Sequence, residues 1–110
     1  MKKVLIVDDD MFFIENIVSS CCENMSVSIA KSISQASTLL SNDFYDFILA
    51  NSKVPGGSSL SLKDKLSEHS KILFMSSFDN DCDIFKKNGD DFCPKYDINK
   101  TFRSFVNNNV

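Results

Sequence analysis

Three short apolar runs, each cut off by polar residues, restrict this chain more than any other feature. They lie within Lys3 to Val7 before Asp8-Asp9-Asp10, Phe47 to Ala50 before Asn51, and Ile72 to Met75 before Ser76-Ser77. A short apolar run without polar alternation suits a strand covered on both faces, the usual state of strands in a parallel sheet. Val27 and Ile29, alternating with serines, add a short strand, and Asp91-Phe92-Cys93 adds a weak one stopped by Pro94-Lys95.

Helical patterns fill the gaps between these strands. Phe12, Phe13, Ile14, Ile17, Val18 and Cys21 recur at helical spacing, with Asp9 or Asp10 placed to cap them. Ser32 or Ser34 opens a second helix through Ile33, Ala36, Leu39 and Leu40, and Leu60 to Glu68 is expected to form a third. A fourth is expected over Asp79 to Asn88, closed by Gly89. A fifth follows Asp97 as its cap, with Ile98, Phe102, Phe105 and Val106 on one face, and Asn107 to Asn109 are expected to fray. Pro55 to Ser59 reads as a loop. Strand and helix thus alternate five times. Such alternation requires parallel strands joined by right-handed crossovers, with helices on both faces of an α/β sheet. At 110 residues the expectation is a single domain over residues 1–110.

Composition narrows the function. Ten of the twelve aromatic residues are Phe and the net charge is -3, so no basic stripe or stacking surface for nucleic acid is expected. No apolar run approaches the length of a membrane span, and Val4 to Val7 is too short for a signal peptide, which points to a cytoplasmic protein. Cys21, Cys22, Cys82 and Cys93 form no C-x-x-C pair, and the single histidine, His69, is remote from them in sequence. Reduced thiols are expected rather than a zinc site, with one of Cys21 and Cys22 exposed because neighbours on a helix face different ways.

In parallel α/β sheets, ligands sit beyond the carboxyl ends of the strands, where the strand order reverses. That rule directs attention to Asp8 to Asp10, Asn51 to Gly56, Ser76-Ser77 and Lys95. An acidic cluster alone is usually a helix start. An acidic cluster, an amide, hydroxyls and a lysine at successive strand ends form a more specific set.

With these residues the sequence resembles the response-regulator receiver family of two-component signalling along essentially its whole length. Val4 to Asp10 is similar to that family's first strand and acidic pair, and Asp46 to Gly56 to its third strand and following loop. Ile72 to Ser77 resembles the fourth strand, with Ser76 at the hydroxyl position, and Asp90 to Lys95 resembles the fifth strand and its lysine. The resemblance implies a flavodoxin-like five-stranded parallel sheet in order 2-1-3-4-5, flanked by five helices. It also implies that Phe92 is the aromatic that packs inward or outward with the state. Any divalent metal would draw on Asp8, Asp9 and the backbone carbonyl of Lys53.

The family's third-strand aspartate takes a phosphoryl group from a histidine kinase, and Asn51 stands in its place. A neutral amide cannot form an ordinary acyl phosphate. It also removes one negative charge, so the expected cofactor is none, or weakly bound Mg²⁺. Lys95 is expected near Asp8, Asp9 and Asn51 with or without a metal. Other departures agree. Ser58-Ser59 replaces the usual Asp-Gly, and Tyr96 follows Lys95 where the family has a proline and a cis bond, which costs about 3 kcal/mol without proline. The stretch from Ser76 to Lys95 is about one helical turn short for the family.

These departures imply a pseudo-receiver, not an enzyme, that acts by binding a protein: a histidine kinase or a downstream signalling protein. The expected surface is the fourth helix, fifth strand and fifth helix, including Phe85, Lys87, Tyr96 and Arg103. One alternative keeps phosphorylation, with Asn51 as a deamidation precursor or a substitution made for study. A remote one is a haloacid-dehalogenase-like phosphatase using Asp8 and Asp10. A flavin site is not expected, since no hydroxyl- and glycine-rich phosphate loop follows the first strand.

Overall fold

The structure is a computed structural model that describes residues 1–78 and 81–109. Five parallel strands form the central sheet: β1 (Lys2–Val7), β2 (Met25–Ala30), β3 (Phe47–Asn51), β6 (Lys71–Ser76) and β7 (Asp91–Pro94). A two-residue hairpin, β4 (Lys53–Val54) and β5 (Gly57–Ser58), stands between β3 and β6 in the chain. The strand order is β2-β1-β3-β6-β7, which is the expected 2-1-3-4-5 once the hairpin is set aside. Order reverses between β1 and β3, so the sheet's crevice opens beyond Val7 and Ala50, which pair in register.

Two apolar layers cover the sheet because side chains alternate along each strand. Val4, Ile6, Phe47 and Leu49 face one way and pack under α1 (Met11–Cys21) and α4 (Ile98–Asn108), against Ile14, Ile17, Phe102 and Phe105. Leu5, Val7, Ile48, Ala50 and Phe74 face the other way, against Ala36 of α2 (Ile33–Asn42), Leu62 and Phe85 of α3 (Asp81–Lys87). Both faces of β1, β3 and β6 are thereby buried, as their unbroken apolar runs demand.

The helix ends follow local chemistry. Asp10 caps α1 by accepting from the Phe13 N–H at 3.2 Å, and Ser32 caps α2 by accepting from Gln35 at 3.1 Å. Helix α3 closes in a Schellman arrangement: Gly89 (φ 75°) donates to Lys86 and Asp90 donates to Phe85, both at 3.0 Å. The expected start of this helix at Asp79 lies outside the described residues.

Several expectations are corrected. The third helix is a 3-10 helix, Ser59–Lys65, not an α-helix through Glu68. Leu60, Leu62 and Leu66 do not supply an i, i+3, i+4 stripe, whereas Ser59 and Leu62, three apart, eclipse on the buried side of a three-residue turn. Pro55 to Ser59 is not a plain loop. Pro55 and Gly56 (φ 102°) turn the β4–β5 hairpin, and the Pro55 carbonyl accepts from the otherwise unpaired Ile33 N–H at 2.9 Å. Asp97 makes no side-chain cap. A 3-10 turn, Lys95–Asp97, leads into α4 instead, and α4 runs to Asn108 where fraying was expected. Cys21 and Cys22 are both buried, because Cys21 is the last residue of α1 and Cys22 its C-cap, so the chain bends between them. No cis peptide bond occurs among the described residues.

Candidate functional site

The register of the sheet assembles the site. Val7 pairs with Ala50, Asn51 with Met75, and Ser76 with Pro94. The residues immediately following β1, ending β3, ending β6 and following β7 are therefore Asp8, Asn51, Ser76 and Lys95, set along one edge of the sheet. Backbone bonds fix this edge: Asp8 N–H donates to Ala30 at 3.0 Å and Ser52 N–H to Met75 at 2.7 Å.

Asp8 is fully buried. Its Oδ1 accepts from the Asp10 N–H at 3.0 Å, and its Oδ2 lies 2.7 Å from the Lys95 ammonium. The second contact is an ion pair that carries no well-directed hydrogen bond. Lys95 is itself mostly buried, with Nζ held 4.3 Å over the ring of Phe13. The expected approach of Lys95 to Asp8 is thus realised. Asp9 is exposed beside this pair.

Asn51 turns its amide nitrogen toward the Lys53 carbonyl, donating at 3.0 Å. This contact was not foreseen. The Asn-x-Lys spacing offers a weak signal for it, since an asparagine side chain readily bonds backbone two residues on. Ser58 and Ser59 also find partners. Ser58 caps the 3-10 helix by accepting from Leu60 at 3.3 Å, and buried Ser59 donates to the Ser52 carbonyl at 3.2 Å. Ser76 is buried, and its Oγ accepts from the Phe78 N–H at 3.0 Å.

Phe92 is half-buried, stacked on Phe85 at 5.0 Å, and Phe85 in turn meets Phe74 at 4.7 Å. Phe85 is therefore a core residue and is corrected from its expected place on the partner surface. Ile84 beside it is 54% exposed and Tyr96 is 78% exposed. Arg103 donates to the Ser20 carbonyl at the end of α1, which turns it toward α1.

A divalent ion at this edge would draw on Asp8, Asp9, residue 51 and the Lys53 carbonyl. Asp8 is engaged at both oxygens, the carbonyl already accepts from Asn51, and residue 51 is neutral. Among the described residues no group of three His, Cys, Asp or Glu side chains is placed to hold a metal. The residues present do not fit a Mg²⁺ site. Asp10, the acid/base candidate of the phosphatase reading, is committed to capping α1.

Elsewhere, burial pushes the Cys22 thiol up to about 11 and Cys93 up to about 12, with the nearby charges of Cys21 and Asp97 as lesser causes. Cys21 is also raised by burial, against the opposing pull of Arg103. A hydrogen bond from Lys3 and another from the Phe44 N–H lower the Asp43 carboxyl.

The chain is similar in structure to the non-phosphorylated HemR receiver domain of Leptospira biflexa, at 22% identity over 99% of this chain and 94% of that one, with a TM-score of 0.79. It also matches the response regulator TrrA of Thermotoga maritima, in complex with Mg²⁺-BeF, at 18% identity over the whole of both chains and a TM-score of 0.84. The chain has the receiver fold. A response regulator of Burkholderia pseudomallei, holding a phosphorylated aspartic acid, a calcium ion and citrate, matches at 22% identity over 86% of this chain and 59% of that one, with a TM-score of 0.70. The sequence itself matches no protein-family profile and no curated protein. No helix among the described residues is long and apolar enough to cross a membrane.

Proposed function

We propose that residues 1–110 form a receiver-like module of two-component signalling that acts in the cytoplasm by binding a protein, without phosphorylation at the usual position. The observation that carries this reading is Asn51. It ends β3, at the position that the resemblance gives to the phosphate-accepting carboxylate, and its amide is bonded to the Lys53 carbonyl. Lys95, the cation that would meet an incoming phosphoryl group, is already paired with Asp8 at 2.7 Å. Both groups that phosphoryl chemistry would use are thus spent within the chain.

The module is a binding protein and not an enzyme. Its partner is a histidine kinase or a downstream signalling protein, met by the face formed by α3, β7 and α4. Ile84, Lys87 and Tyr96 are exposed on these elements and the turn between them, and support this choice.

Deamidation of Asn51 to an aspartate needs the Ser52 backbone nitrogen to attack the side-chain carbonyl. That nitrogen donates to Met75 at 2.7 Å in a buried residue, which weighs against this route in the folded protein.

The test is treatment with acetyl phosphate and Mg²⁺, read by intact and peptide mass spectrometry. No acid-labile phosphate is expected. A stable acid-labile phosphate on Asp8 or Asp9, or an aspartate mass at position 51 in protein from the native source, overturns the reading.

A further inference from the structure

We infer that the pocket is built to hold its shape without a divalent cation, and that the Asn51 amide is the group that makes this so. The inference rests on the reading of the chain as an unphosphorylated module and adds how its site is kept in one state.

Consider what each donor faces. A carbonyl oxygen only accepts, so the Lys53 carbonyl needs an N–H, an O–H or a cation. Asn51 Nδ2 supplies the N–H at 3.0 Å. A buried carboxylate likewise needs compensation, and Asp8 obtains it from the Asp10 N–H at 3.0 Å and from Lys95 at 2.7 Å. The Lys53 carbonyl and the Asp8 carboxylate, oxygens on which a cation would draw, are therefore each already met by nitrogen donors of the chain. With Asp8 and Lys95 cancelling, exposed Asp9 is the further carboxylate of the set. Mg²⁺ gives up its water reluctantly and usually requires carboxylate ligands, so one exposed carboxylate gives it little reason to enter.

The same geometry shows how narrowly this state is held. In Asn51→Asp, the N–H donor is replaced by a carboxylate oxygen that faces the Lys53 carbonyl. Two oxygens then oppose one another with no proton between them, and a cation relieves the conflict. The variant gains a carboxylate ligand and loses its internal substitute for the ion in one step.

The experiment compares wild type, Asn51→Asp and Asn51→Ala by calorimetric titration with MgCl₂ alone and by thermal unfolding in EDTA and in excess Mg²⁺. Wild type is expected to unfold at the same temperature in both buffers. Asn51→Asp is expected to melt lower in EDTA by about 4–8 °C, the shift for losing one hydrogen bond in a domain of this size, and to recover in Mg²⁺. It should also bind Mg²⁺ at least about tenfold more tightly than wild type, as an added carboxylate ligand implies. Asn51→Ala is expected to melt lower in EDTA without recovering.

Mg²⁺ binding by wild type with a raised melting temperature overturns the inference. So does an Asn51→Asp variant that is as stable as wild type in EDTA, because the amide would then replace nothing. Should Asn51→Asp fail to fold in EDTA, its refolding on Mg²⁺ addition supports the inference, and its failure to refold overturns it. None of these readouts involves phosphate, so wild-type Mg²⁺ binding without phosphorylation sinks the inference alone and leaves the proposed function standing.

Discussion

Replacing Lys95 with methionine tests how the site edge is held together. Methionine keeps the length of the side chain and can still lie against the Phe13 ring, so the change is chiefly one of charge. Asp8 is fully buried, and its Oδ2 has the Lys95 ammonium at 2.7 Å as its compensation. Removing one partner of such a pair leaves a charge in a medium that solvates it poorly, at a cost of about 3–5 kcal/mol. That is a large part of the total stability of a small domain, about 5–15 kcal/mol. Removing both partners is a different matter. Asp8→Asn with Lys95→Met leaves a neutral amide and a thioether, and this pair should recover at least half of the loss. The assay is urea unfolding followed by far-ultraviolet circular dichroism for wild type, both single variants and the double, with slopes compared to exclude a changed unfolded state. A loss below about 1 kcal/mol for Lys95→Met, the value typical of a solvated surface pair, would falsify the account. A double variant no more stable than Lys95→Met would do the same.

Three further outcomes follow from backbone and thiol chemistry. Gly56→Ala should destabilise by about 1–3 kcal/mol in the same unfolding assay, the cost of a non-glycine residue in a left-handed conformation. Gly57 (φ 130°) shares this backbone strain, but an added carbon there meets nothing within 4 Å, whereas at Gly56 (φ 102°) it meets Ile33 Cβ at 3.2 Å, so Gly56→Ala should carry the extra steric cost. Cys22 and Cys93 should resist a thiol reagent at pH 8 in the native protein and react on unfolding, since only the thiolate attacks. Their pKa values rise from 9.0 in the free thiol to about 11 and about 12 in the fold. Unfolded thiols therefore release protons first, and thermal unfolding should show stability falling as pH climbs from about 9 toward those values. Flat stability over that window contradicts the burial argument.

The sequence made the sheet readable because β1, β3 and β6 carry unbroken apolar runs, a pattern forced by burial on both faces. The caps of α1 and α2 were legible to within two candidates, with Asp10 and Ser32 the ones used, whereas Asp97 does not cap α4 as expected. The Asp8–Lys95 pair could be anticipated because both residues follow strands of one parallel sheet. What could not be read depended on distances that only packing sets. Leu60, Leu62 and Leu66 suggested a helix, but the segment had to bring Ser59 onto the Ser52 carbonyl, and a 3-10 turn does so. Phe85 looked like a surface residue by position, yet it is clamped between two other rings. The Asn51–Lys53 bond was hidden because an amide can turn either way until its neighbour's carbonyl is located.

On the proposed reading, in which a protein is bound beside Phe92, that clamp has a consequence for how quickly the partner is met. The Phe92 ring lies 5.0 Å from Phe85 in a near-parallel stack. Such a stack is worth about 0.5–1.5 kcal/mol beyond ordinary burial, so it alone disfavours an outward ring by roughly twofold to tenfold. A protein that requires the outward ring finds only that minor fraction competent, and its apparent affinity is reduced in the same proportion. A protein that reads the inward ring meets a surface already arranged, and its association waits on diffusion and orientation rather than on a rearrangement of the chain.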